Sequence, residues 1–121
     1  MNYQSNKYKI CVTILFAFFV THATSQINKD DISIVQFSAK FVSANEVSLT
    51  PYENDYNTQT LYISEHKELF KKEKIKYLPT IILYNEGERV LIITSDLSLK
   101  LPSDAIEQLD EEINNILKTK F

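Results

Sequence analysis

Few residues in this chain are of a type that does chemistry, and their spacing decides what they can do. There is one cysteine, Cys11. Thiol exchange needs one thiolate to attack and a second thiol to resolve the mixed disulfide, so a lone cysteine cannot complete the cycle. His66 stands beside Glu65 and Glu68. A zinc site wants four ligands, and Cys11 and His22 both lie in the first 25 residues, which leaves His66 without a Cys or second His in the rest of the chain, so an exposed surface histidine is expected. Asp110, Glu111 and Glu112 are adjacent acids. A helix spreads such neighbours around its axis, and the glycine of a calcium loop is missing, so they read as a solvated face. No metal is expected. Phosphate-cradling loops are excluded, because the only glycine is Gly87. What remains is Val42-Ser43-Ala44-Asn45, placed just after the strand-like run Ile34-Val35-Gln36-Phe37. In an α/β domain, sites gather at that kind of junction. Ser43 is the only nucleophile type there, and its hydroxyl needs an adjacent base that the nearby sequence lacks.

The elements that would position this junction follow from pattern. Ile32 to Phe37 is short and β-branched and reads as a buried strand. A helix starting near Ser43 or Ala44, with Val47 and Leu49 inward, stops at Pro51. Residues 52–58 read as a loop. Thr60 to Ile63 is a second strand, and Ser64 caps a helix from Glu65 to about Lys74, with Leu69, Phe70 and Ile75 inward. Ile81 to Tyr84 and Arg89 to Thr94 are strands joined by a hairpin, where Gly87 supplies a positive φ. After a loop to Pro102, Ser103 or Asp104 caps a helix whose Ile106, Leu109, Ile113, Ile116 and Leu117 share one face. The order is β, α, β, α, β, β, α. It implies an α/β fold in which two βα units pair in parallel, a hairpin adds an antiparallel edge, and helices cover both faces of a mixed four-stranded sheet.

The first 25 residues are expected to lie outside that domain. Lys7 and Lys9 precede an apolar run, Ile10 to Val20, followed by Thr21-His22-Ala23-Thr24-Ser25. That is the layout of a cleaved secretory signal, with Ala23 and Ser25 at the cleavage site. As a membrane anchor the run would cross only about half of the roughly 30 Å hydrocarbon core. The expected division is a signal over residues 1–25 and one domain over 26–121, in the periplasm or outside the cell, with no stable membrane insertion. Cleavage removes Cys11, and it removes Lys7 and Lys9 from 13 basic residues. That leaves 11 against 16 acids, a formal charge of −5. Such a domain forms no disulfide and has no basic stripe for nucleic acid. Lys71, Lys72, Lys74 and Lys76, interrupted by Glu73, read as a solvated helix face.

Residues 61–88, LYISEHKELFKKEKIKYLPTIILYNEGE, resemble the second half of a thioredoxin-type domain: strand, helix, Tyr-Leu-Pro-Thr turn, apolar strand and Asn-x-Gly-Glu hairpin. The run IVQFSAKF is similar to that family's first core strand and its approach to the active site. The likeness is nearest to small exported members of Bacteroidetes-type bacteria, many of which lack the cysteine pair. It implies a three-layer α/β/α sandwich with Pro79 as the cis-proline opposite the active-site loop. The family's Cys-x-x-Cys then falls on Val42, Ser43, Ala44 and Asn45. Its buried acid falls on Gln36, the accompanying lysine on Thr60, and the flanking tryptophans on Ser38 and Phe41. Where the family often has a groove glycine, this chain has Ser95-Asp96, which would crowd a bound peptide and face it with a charge.

The resemblance therefore implies a scaffold kept and a redox site lost, with no catalytic residue and no cofactor. The expected role is binding of another protein, in the envelope or secreted, through Phe41, Val42, Tyr77, Leu78, Pro79 and Ser95. Two other readings stay open. One is a residual or glutathione-dependent enzyme related to thiol-disulfide oxidoreductases, using Ser43 or a cofactor thiol. The other is a structural subunit of an envelope assembly. Fold alone does not choose among them.

Overall fold

The computed structural model describes residues 31–120; the expected export signal, residues 1–25, lies outside them. Strand β1, Ile32–Ser38, is buried along its whole length. It is central because β2, Asn57–Tyr62, pairs with one side in parallel and β3, Thr80–Asn85, pairs with the other antiparallel. Strand β4, Glu88–Thr94, completes the order β2-β1-β3-β4. A strand flanked on both edges and covered on both faces loses the alternation of polar and apolar residues, which is why ISIVQF reads as a continuous run.

The period of two sorts the core into two layers. Ile32, Ile34, Ile81, Leu83 and Ile93 face the C-terminal helix, whose Leu109, Ile113 and Ile116 pack on them. Val35, Phe37, Leu61, Ile82 and Tyr84 face a short helix through Phe70. Phe37 and Phe70 meet edge to face, with ring centroids 5.0 Å apart. The short helix is α1, Lys67–Lys72, and the long one is α2, Ala105–Lys120. The β3–β4 hairpin turns through Glu86 at φ 54° and Gly87 at φ 83°. Two successive positive φ values match the right-handed twist of the strands they join.

Four expectations are corrected. Strand β3 runs antiparallel to β1, so only the first βα unit gives a parallel pair. Strand β2 begins at Asn57 and not at Thr60. Helix α1 spans six residues, because Ile63, Ser64 and Glu65 form a turn in which the Glu65 and His66 amides donate to the Tyr62 carbonyl. Ser64 therefore caps nothing, and Lys74 lies beyond the helix in a left-handed conformation, φ 57°. Finally, no α-helix follows Ser43. Two 3₁₀ turns, η1 over Lys40–Asn45 and η2 over Thr50–Tyr52, flank an irregular segment.

The reason lies in hydrogen-bond supply. In an α-helix through this region the Val47 carbonyl would accept from residue 51, but Pro51 has no N–H. Gln36 supplies what the local chain cannot. Its Nε2 donates to the Val47 carbonyl at 2.9 Å, and its Oε1 accepts from the Val47 amide at 2.9 Å. A β1 side chain thus holds the segment in place of a helical ladder, and Leu49 and Tyr52 drop into the α2-side core.

Candidate functional site

The carboxyl end of β1, the amino end of β3 and the carboxyl end of β4 lie together. Phe37 pairs with Thr80, Thr80 pairs with Thr94, and the Ser95 amide donates to the Pro79 carbonyl at 3.1 Å. Three loops therefore meet at one end of the sheet: residues 39–45, 77–79 and 95–101. Asn45 joins the first to the third through Nδ2, which donates to the Leu99 carbonyl at 2.9 Å. The Leu78–Pro79 peptide bond is cis. Thr80 Oγ1 donates to the Tyr77 carbonyl at 2.6 Å and fastens the turn before the strand.

Beneath the first loop runs a short polar ladder across β1 and β2. Gln36 is opposite Thr60, and Ser38 is opposite Tyr62. Gln36 Nε2 also lies 3.3 Å from Thr60 Oγ1. Ser38 Oγ donates to Glu46 Oε2 at 2.7 Å, and the Tyr62 hydroxyl reaches Glu46 Oε1 at 3.4 Å. Gln36 is 1% exposed. A neutral amide there is fully hydrogen-bonded, whereas a lone carboxylate would lose the donation to Val47 and be costly to bury. A serine bonded to a carboxylate could begin a nucleophilic site, but Ser38 is completely buried and has no imidazole between it and Glu46. Ser43 is exposed, and no base hydrogen-bonds to its hydroxyl among the described residues.

The six residues expected to contact a partner divide by burial. Phe41 is 76% exposed and Tyr77 43%. Leu78 is half-buried against the α1-side core. Val42, Pro79 and Ser95 are buried and so support the face from behind. The Ser95 hydroxyl has no hydrogen-bond partner. Of the four positions aligned with the redox motif, Ser43 and Ala44 are exposed, Asn45 is engaged by Leu99, and Val42 is core.

Asp96 does not face a groove as a free charge. Its Oδ1 accepts from the Ser98 hydroxyl and amide at 2.5 and 2.9 Å and from the Lys100 amide at 3.3 Å. These bonds, Ser98 first, hold the carboxyl below its ordinary range. They also close the loop that carries Leu99 at φ 65°, an uncommon conformation for a bulky residue. The same loop presents Leu97, 87% exposed, which the reading from sequence passed over. A large apolar residue alone in Ser-Asp-Leu-Ser was the available signal. His66 sits half-buried at the start of α1, and no three His, Cys, Asp or Glu side chains converge among the described residues.

No family model and no curated protein sequence matches the chain. Solved structures do. Oxidised thioredoxin from Plasmodium falciparum superposes with a TM-score of 0.56 at 21% identity, over 77% of this chain and 90% of that one. Thioredoxin from Schistosoma mansoni gives 0.56 at 17% identity, over 79% and 85%. Thioredoxin-2, described as a component of the malaria parasite protein secretion machinery, gives 0.55 at 18%, over 72% and 89%. Identities this low speak for architecture alone. With its mixed sheet, the helices on its two faces and its C-terminal hairpin and helix, this chain has the thioredoxin fold.

Proposed function

We propose that the protein is an exported, redox-silent member of the thioredoxin-like family that binds another protein through the loop end of its sheet. The observation that carries this reading is the exposure of Phe41 and Leu97, with Tyr77 nearby, on hydrogen-bonded loops at the position where the fold's active site would lie. Large apolar and aromatic side chains presented on a rigid support are the anchors of protein interfaces. The chemistry of the same end points away from catalysis. Among the described residues it has no sulfur, the exposed Ser43 lacks a base, the Asp96 carboxylate beside Ser98 is taken up by loop amides, and Gln36 is engaged in holding backbone. Not being an enzyme is part of the proposal, as are export and descent from a Cys-x-x-Cys ancestor.

The test is capture from the native envelope fraction in mild detergent, comparing the full chain with its Phe41→Ser/Leu97→Ser variant. A partner protein retained by the first and lost from the second supports the reading. Equal capture by both removes the face. A glutathione titration followed by calorimetry is expected to give no heat; saturable heat would favour the glutathione-dependent alternative.

A further inference from the structure

On the α1 side of the sheet, a groove of about 260 Å³ runs between β4 and the connector from α1 to β3. Its floor is apolar: Ile82 is fully buried beneath it, and Ile92 beside it is 46% exposed. Its rim is cationic. Lys74, Lys76 and Arg89 line it together with one acid, Glu73. That acid is already engaged, accepting from the Tyr84 hydroxyl at 2.7 Å, with Arg89 3.8 Å away. The rim is therefore net positive on a chain whose formal charge is −3.

Two backbone irregularities put those cations there. Strand β4 has a register shift between its pairings with Leu83 and Tyr84. Leu91 and Ile93 face α2, so strict alternation would send Arg89 to that side too; the shift turns it to the α1 side, opposite Tyr84. Re-aiming a side chain is a recurrent use of a bulge. Lys74, for its part, closes α1 from the left-handed region. The Lys74 and Ile75 amides donate to the carbonyls of Lys71 and Phe70 at 3.1 and 3.0 Å. That termination ordinarily uses glycine. A lysine held there at a conformational cost, on the rim of a groove, is an outlier of the kind that points to function.

Strand β4 is also the edge of the sheet. Its outer backbone groups can pair with an added strand, whose alternate side chains would fall beside Ile92 on the groove side. We propose that this groove and edge dock an extended segment of a partner protein whose groove-side residues, every second position, are by turns apolar and carboxylate. The apolar side chains enter over Ile82 and Ile92, and the carboxylates meet Lys74, Lys76 and Arg89. The proposal does not depend on the loop-end face; Tyr77 borders both, and the test leaves Tyr77, Phe41 and Leu97 unchanged.

The probe is a fluorescein-labelled peptide of Val-Thr-Glu-Thr repeats, which puts valine and glutamate on one face, titrated with the full chain and followed by anisotropy, with Val-Thr-Lys-Thr repeats as control. The acidic peptide is expected to bind, to weaken as salt rises, and to shift the amide resonances of Ile82, Ile92 and Thr94. Lys74→Glu/Lys76→Glu should lower its affinity by about tenfold or more. Ile92→Ser, a change at an exposed position, should lower it several-fold. Absence of binding, equal binding of the lysine peptide, or unchanged affinity in the lysine variant overturns the proposal. So does displacement of the peptide by decanoate, which would make the groove a site for small amphiphiles. So does self-association that shifts the same resonances without peptide, which would make the occupant a second copy.

Discussion

Position 36 shows how one buried side chain can hold an irregular segment in place. An acid there could accept from the Val47 amide but could not donate to the Val47 carbonyl; the amide of Gln36 does both. Gln36→Glu should therefore cost about 3 kcal/mol at neutral pH, measured by urea unfolding. The loss should shrink as pH falls toward about 4, because a carboxyl that is costly to bury charged takes up its proton above the ordinary range and can then donate. That the family's acid and lysine fall on Gln36 and Thr60 is what the resemblance implied. That Gln36 bonds to Thr60 and to Val47 was not legible, because the contacts span 24 and 11 positions. Two phenols make a second prediction. Burial, then a hydrogen bond to Asp110 for Tyr52 and to Glu73 for Tyr84, pushes both above their usual range. A phenol whose pKa is raised on folding stabilises fully below its unfolded value of about 10, and that contribution is lost as pH rises through the folded one. Stability should thus decline above about pH 10, and ultraviolet titration should show two tyrosines ionising only as the chain unfolds.

Among the elements, those with a strong internal period were readable. The C-terminal helix, the buried strand Ile32 to Phe37 and the Gly87 hairpin all stand where their patterns place them. The misread elements depend on supply from elsewhere. Residues 43–51 carry helix-compatible spacing, but Pro51 removes a donor and a distant glutamine replaces it. Ser64 has the chemistry of a cap, yet the turn at Tyr62 consumes it. Helix α1 is too short to persist without tertiary contact, so its stability rests on Phe70 against Phe37. Phe70→Ala should cost about 3–5 kcal/mol in chemical denaturation. Lys74→Gly should act the other way, raising stability by about 1 kcal/mol by relieving the left-handed lysine. The same change should weaken binding of the acidic peptide.

At the scale of the whole molecule, the chain has the thioredoxin fold, and the proposed function gives its loop end a binding role. The family resemblance implied Pro79 opposite residues 42–45, but the parallel pairing expected from the element order would have put it at the far end of the sheet; antiparallel β3 brings the Pro79 turn to the carboxyl end of β1. The burial of Val42, Pro79 and Ser95, and the prominence of Leu97, depend on how three loops fold over the sheet end. The proposal has a consequence for thiol chemistry introduced at this end. A thiol is activated by the amino end of a helix. Here the motif lies on a six-residue 3₁₀ turn, with Val42 packed in the core. Val42→Cys/Asn45→Cys should therefore remain a poor catalyst, with a first thiol that alkylates slowly at neutral pH. The most direct test of the central claim is insulin disulfide reduction by the full chain with dithiothreitol as electron source, followed by turbidity. The account predicts the rate of dithiothreitol without the protein, unchanged by Cys11→Ser. Turnover that rises with protein concentration would contradict it.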